Sequence, residues 1–198
     1  MAVTSALRWL LVLMKRVPDR LSHAVRRRTA IERLRSSEVP GVILVVCHGN
    51  VCRSPYAEAA LRRRFEAAGL EIQVESAGFL GPSRPAPRDA LDAAARRGTD
   101  MRAHRSRVVD KALLDFADLI VTMEPGQARA VTARPSRTAR NVLVLGDLDP
   151  RPGTGRSIVD PYGRPPETYT ECYDRIDRCL DQLVRALARD EPVPRAVY

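Results

Sequence analysis

Four residues that can do chemistry crowd one short stretch, VVCHGNVCRSPYAEA at positions 45–59: Cys47, Cys52, Arg53 and Ser54, directly behind an apolar run. Metal binding, disulfide pairing and nucleophilic catalysis are the reactive options, with plain packing as the inert one. A structural zinc site usually takes four ligands. Cys47 and Cys52, even joined by His48 and His104, have no second ligand pair at a useful spacing, so no metal is expected. A nucleophile suits the pattern better. A cysteine that ends a strand and precedes a helix faces unpaired backbone N–H groups, which favour an anion. Gly49 lets the backbone curl tightly. Arg53 adds a fixed positive charge and a planar fork of donors matched to phosphate oxygens. These features favour the thiolate of Cys47, and Ser54 can donate a hydroxyl hydrogen bond to it. His48, Gly49, Asn50, Val51, Cys52, Arg53 and Ser54 thus form a candidate cradle for a tetrahedral oxyanion, with the sulfur of Cys47 aimed at its centre. Cys52 reads either as a small buried hydrophobe or as the partner of Cys47 in a reversible, protective disulfide.

Such a loop needs a strand before it and a helix behind it. VILVV (Val42–Val46) is β-branched and reads as a buried parallel strand. Ser54-Pro55 marks a helix start, and YAEAALRRRFEAAG carries helical spacing as far as Gly69. IQVES (Ile72–Ser76), LIVTM (Leu119–Met123) and NVLVL (Asn141–Leu145) supply three more strands. PAPRDALDAAARRG predicts a helix ending at Gly98, Val108–Phe116 a short one, and ETYTECYDRIDRCLDQLVRALARD a long amphipathic one after a Gly/Pro/Asp/Arg-rich loop over 146–166. Strands alternating with helices imply an α/β fold: three layers, a four-stranded parallel sheet with helices on both faces, and the anion loop after the first strand. Ligands of such sheets bind beyond the C-terminal ends of the strands, where this loop lies.

The 198 residues suffice for one domain with an extension. Pro40-Gly41 separates a basic, helical extension (1–40) from the main domain (41–198). The extension carries +6 of the formal net charge of +9, which favours an anionic partner such as an acidic membrane surface. Its apolar segment WLLVLM (Trp9–Met14) is too short to cross a bilayer and is no secretory signal; bracketed by Arg8, Lys15, Arg16 and Arg20, it reads first as a helix docked on the domain and second as one that lies on a membrane surface. No specific nucleic acid is expected. Four cysteines in this length make no disulfide scaffold, so they are read as reduced thiols of a cytoplasmic protein, peripheral to the membrane if the extension binds it.

Departure of an alcohol or phenol from phosphorus calls for an acid. Asp160, in SIVDPYGRP, lies late in the long loop with Pro161 stiffening its turn. Asp147 and Asp149 are rivals, but in GDLDP they read better as turn residues.

From about Val42 onward the chain resembles the low-molecular-weight protein tyrosine phosphatases of bacteria. The likeness rests on VCHGNVCRSPYAEA, ESAG (Glu75–Gly78), HRSR (His104–Arg107), ADLIVTME (Ala117–Glu124) and DPYG (Asp160–Gly163), in family order and spacing. It implies hydrolysis of phosphotyrosine and small aryl phosphates through a phosphocysteine on Cys47, with Arg53 holding the phosphoryl oxygens and Asp160 as the general acid. It further implies no cofactor, a loop-shaping Asn50 supported by Ser76 and His104, and pocket walls from Tyr162 and Phe79. The implied partner is a phosphotyrosyl protein, for instance a bacterial tyrosine kinase. The rival on the same fold is a thiol-dependent arsenate reductase. Others are a phosphotyrosine-binding module without turnover and a membrane adaptor built on the extension.

Overall fold

The computed structural model describes residues 22–134, 141–153 and 155–189. A helix over 22–36 (α1) comes first. Then follow β1 (Val42–Cys47), α2 (Arg53–Ala67), β2 (Gln73–Gly78), α3 (Arg88–Ala95), α4 (Lys111–Phe116), β3 (Leu119–Thr122), α5 (Pro125–Thr132), β4 (Val142–Val144) and α6 (Pro166–Ala188). The four strands form one parallel sheet in the order β2-β1-β3-β4.

β1 sits inside the sheet, and its alternating side chains feed two separate cores. Ile43, Val45 and Cys47 face α2, α3 and α6, whose Tyr56, Leu61, Phe65, Ala90 and Leu180 close that side. Leu44 and Val46 face the opposite way, against Leu114 of α4 and Val131 of α5. The result is the expected three-layer α/β sandwich. Tyr56 of α2 and Tyr173 of α6 stack with centroids 3.9 Å apart, and the Tyr173 hydroxyl donates to the carbonyl of Cys52 at 3.3 Å. That stack pins the start of α2, and with it the end of the anion loop. Ile31 and Leu34 of α1 are buried in the same core as α6. Trp9–Met14, expected to form an amphipathic helix, lies outside the described residues.

Several bounds differ from expectation. α4 starts at Lys111 rather than Val108, because the Asp110 carboxylate caps it by accepting from the Leu113 amide at 2.8 Å, while Val108 bridges to Gly78. α5 was not anticipated. Its signal was Pro125, which occupies a first-turn position where a missing N–H costs nothing. β4 stops at Val144, and Leu145–Leu148 turns as a 3-10 helix.

Candidate active site

Cys47 ends β1 with Gly78 of β2 as its register partner. The following turn is held from behind by Asn50, which is fully buried and adopts φ +51°, a left-handed conformation that asparagine tolerates. Its Nδ2 donates to Ser54 Oγ and Ser76 Oγ, each at 2.9 Å, and its Oδ1 accepts from the Arg107 amide at 2.7 Å. His104 Nε2 contacts the Asn50 carbonyl at 2.7 Å, so that nitrogen carries the proton. Ser76 in turn donates to the Glu58 carboxylate. Every polar atom of the Asn50 side chain is thus engaged, which fixes the loop's curvature.

Two donors converge on the sulfur of Cys47: the Asn50 amide at 3.2 Å and the Ser54 hydroxyl at 3.0 Å. Around it, the amides of Gly49, Val51 and Cys52 donate to no acceptor among the described residues. These three residues line the cavity with Cys47, and loop amides without an acceptor at the start of a helix are available to an anion seated there. Arg53 completes it. Its side chain is 2% exposed, Nη1 donates to the Ile158 carbonyl at 3.0 Å, and Nη2 pairs with Asp160. Its Nε is buried without a partner among the described residues. The Asp160 carboxylate also accepts from the Tyr162 amide at 3.2 Å. A guanidinium therefore ties the anion loop to the loop carrying the candidate acid.

Cys52 differs from Cys47. Burial, reinforced by the negative charge of Asp160 and by Cys47, pushes its thiol far up, so it stays protonated. All four cysteines are free. Cys172 and Cys179 are buried in α6, and burial raises both thiols, Cys172 to about 12.

The cavity over Cys47 is floored by His48, Gly49 and Val51, and walled by Leu80, Arg84, Asp160 and Tyr162. Tyr162 lines this cavity. Phe79 does not. Its ring packs on the core beneath α4 and α5 and lies under the Arg134 guanidinium at 5.4 Å, so the wall falls to the next residue, Leu80. Asn50 and Ser54, expected both in the phosphate cradle and as its supports, do not line this cavity; their side chains bond to each other, to Ser76 and to the Cys47 sulfur. Arg84 was missed, since nothing local distinguishes it from the chain's many other arginines. Asp149 is fully buried between Arg175 and Arg178, and Asp147 pairs with Arg156 and Arg26. Burial alone would raise the Asp149 pKa. The hydrogen bond from Arg178, the Arg151 amide and both guanidinium charges outweigh that and hold it low.

Among known proteins, a family model described as low molecular weight phosphotyrosine protein phosphatase matches residues 42–193. A probable low molecular weight protein-tyrosine-phosphatase, EpsP of Ralstonia nicotianae, is 34% identical over 72% of this chain and 92% of its own. A protein-arginine-phosphatase of Bacillus subtilis is 30% identical over 75% of this chain and 97% of its own. The solved structure of Vibrio vulnificus Wzb in complex with benzylphosphonate superposes with a TM-score of 0.65 at 28% identity, covering 73% of this chain and 97% of that one. Sequence, fold and relatives agree: this chain belongs to the low molecular weight phosphotyrosine protein phosphatase family.

Proposed function

We propose that this protein hydrolyses phosphotyrosine in proteins, and small aryl phosphates, with Cys47 as nucleophile, Arg53 as oxyanion clamp and Asp160 as proton donor. One observation carries the reading: unpaired amides, two donors to sulfur and a buried guanidinium all meet at Cys47. The entering phosphate takes the place of the Asp160 carboxylate on Arg53. Sulfur attacks phosphorus as the aryl–oxygen bond breaks, and the amides and Arg53 hold the equatorial oxygens. Asp160 in its acid form passes its proton to the departing phenolate. Then a water gives its proton to the Asp160 carboxylate and attacks phosphorus, the S–P bond breaks, and phosphate leaves. Ser54 and the Asn50 amide stabilise the sulfur anion at both ends of the cycle. No step calls for a metal.

The ring of Tyr162 and the aliphatic side chain of Leu80 suit an aromatic ring. An arsenate reductase relay would need accessible second thiols, whereas Cys172 and Cys179 face the core. The protein-arginine-phosphatase among the relatives makes phosphoarginine the substrate to compare. A bacterial tyrosine kinase as partner and a cytoplasmic setting are part of this proposal. So is the division at residue 40, with an anionic membrane surface as the extension's partner. No helix among the described residues is long and apolar enough to cross a membrane.

The test is turnover of phosphotyrosyl, phosphoseryl and phosphoarginyl peptides by the wild type and Cys47→Ser. Vanadate-sensitive release from phosphotyrosine alone, lost in Cys47→Ser, is expected. Faster release from phosphoarginine would overturn the substrate, and substantial turnover by Cys47→Ser would overturn the nucleophile.

A further inference from the structure

Arg84 stands at the cavity rim on a prebuilt support. Ser106, 2% exposed, holds the segment before it: its hydroxyl donates to the Gly81 carbonyl and accepts from the Arg84 amide, both at 3.0 Å. The Ser83 amide donates to the Ser106 carbonyl at 2.8 Å, and the Ser106 amide to the Arg84 carbonyl at 2.9 Å. The guanidinium then reaches back to the anion loop, where Nη2 donates to the Gly49 carbonyl at 2.8 Å. A Cβ at Gly49 would lie 2.8 Å from that nitrogen, so this close approach depends on glycine. Among the described residues, this is the one bond that the guanidinium makes, its buried Nε has no partner, and no carboxylate pairs with Arg84. Other described arginines divide between carboxylate pairs, such as Arg64 with Asp177 and Asp181, and carbonyl contacts alone, such as Arg63 and Arg105; Arg84 differs from the latter in lining the cavity over Cys47. An arginine fastened beside the cavity without a counter-charge is a receptor for one.

We propose that Arg84 is a specificity-determining residue that reads a carboxylate flanking the phosphotyrosine, so that the preferred substrates are acidic phosphotyrosyl segments. The inference rests on the phosphotyrosine reading above and narrows it. The cradle around Cys47 has its own donors in Arg53 and the loop amides, so a second anion is needed for Arg84. A side chain one or two residues from the phosphotyrosine is tethered at the right distance. Of the other lining residues outside the anion loop, Tyr162 and Leu80 carry no positive charge, and the Asp160 carboxylate is held by Arg53. A rim contact is partly solvated, so its effect is modest and falls with salt.

The experiment measures kcat/KM for three phosphotyrosyl peptides that differ only in flanking Glu, Gln or Lys residues, at low and high salt, together with p-nitrophenyl phosphate. The enzymes are the wild type, Arg84→Gln and Arg84→Lys. The wild type should prefer the Glu over the Gln peptide by about fivefold at low salt, mainly through KM. Arg84→Gln should bring that ratio close to one, and Arg84→Lys should keep part of it. Because Arg84 also braces Gly49, both variants can lose rate on every substrate, and the ratio within each enzyme cancels that common loss. Peptide turnover with no preference in the wild type, or a preference that survives Arg84→Gln, would overturn this role while leaving the phosphatase reading intact. Absence of turnover on every phosphotyrosyl substrate would overturn both.

Discussion

At the level of single residues, the site is set by what each polar atom still has to give. Asp160 is committed to Arg53 before any ligand arrives, and Arg53 is committed at Nη1 to the Ile158 carbonyl of the same loop. In the mechanism proposed above, a phosphate entering the cradle would change the partner of Asp160 and its position in one event. That coupling makes Asp160→Asn informative. The amide can still hydrogen-bond Arg53 but cannot deliver a proton, so the loss should grow with the leaving group's basicity. We expect a drop of about 100-fold or more for phenyl phosphate and a far smaller one for p-nitrophenyl phosphate, whose phenolate needs little help. Pre-steady-state release of the two phenols is the measurement. Equal slowing for both esters would assign Asp160 to anchoring Arg53 rather than to proton transfer.

At the scale of elements, the anion loop is shaped by the strand beside it as much as by its own sequence. Gly78 ends β2 against the loop, where an added Cβ would fall 2.8 Å from the Asn50 amide nitrogen and 2.9 Å from the His48 carbonyl oxygen. Both are backbone atoms and cannot swing aside, and that same amide is a donor to the Cys47 sulfur. Gly78→Ala should therefore cut kcat by about tenfold or more and cost about 1–3 kcal/mol of stability, read from steady-state rates beside a urea unfolding curve; unchanged kcat would show that the loop yields freely. This dependence also marks how far the sequence alone can reach. Cys47, Arg53 and Ser54 were legible because a local strand–loop–helix pattern brings them together within one turn. The alternation in β1, Val42–Cys47, likewise announced a buried strand. Asp160 was legible as an acid on a long loop, but its pairing with Arg53, more than a hundred positions away, was not. Arg84 and the placement of Leu80 instead of Phe79 depend on where the segment after β2 is stapled by Ser106, which no periodicity encodes. α5 escaped notice because eight residues make a weak helical pattern, and only Pro125 marked its start.

Over the whole molecule, many arginines are tied to carboxylates, most of them at the surface and two, Asp147 and Asp149, buried. α1 takes part: Ile31 and Leu34 enter the main core, Arg26 approaches Asp147 at 3.7 Å, and Arg33 donates to the Val142 carbonyl of β4 at 3.1 Å. α1 is thus packed into the same core as β1, α2 and α6. Asp149 is the deepest of these carboxylates. It accepts from Arg175 Nε at 3.0 Å, while Arg175 also donates to the carbonyls of Ser157 at 2.8 Å and Gly155 at 2.6 Å. One buried cluster therefore joins α6 to the loop that leads to Asp160. Asp149→Asn leaves two guanidinium groups short of a counter-charge and should cost about 3 kcal/mol at pH 7. The pH dependence follows from the lowered pKa. In the unfolded chain Asp149 titrates near ~3.9, while in the fold it stays ionised to lower pH. Its stabilisation is thus complete above the unfolded value and is lost as pH falls through the folded one. Guanidinium unfolding of wild type and variant from pH 7 to pH 3 should show a constant gap down to about pH 5 that narrows below about pH 4. A gap that stays constant to pH 3 would mean that the carboxylate charge contributes nothing, and that shape alone holds the loop to α6.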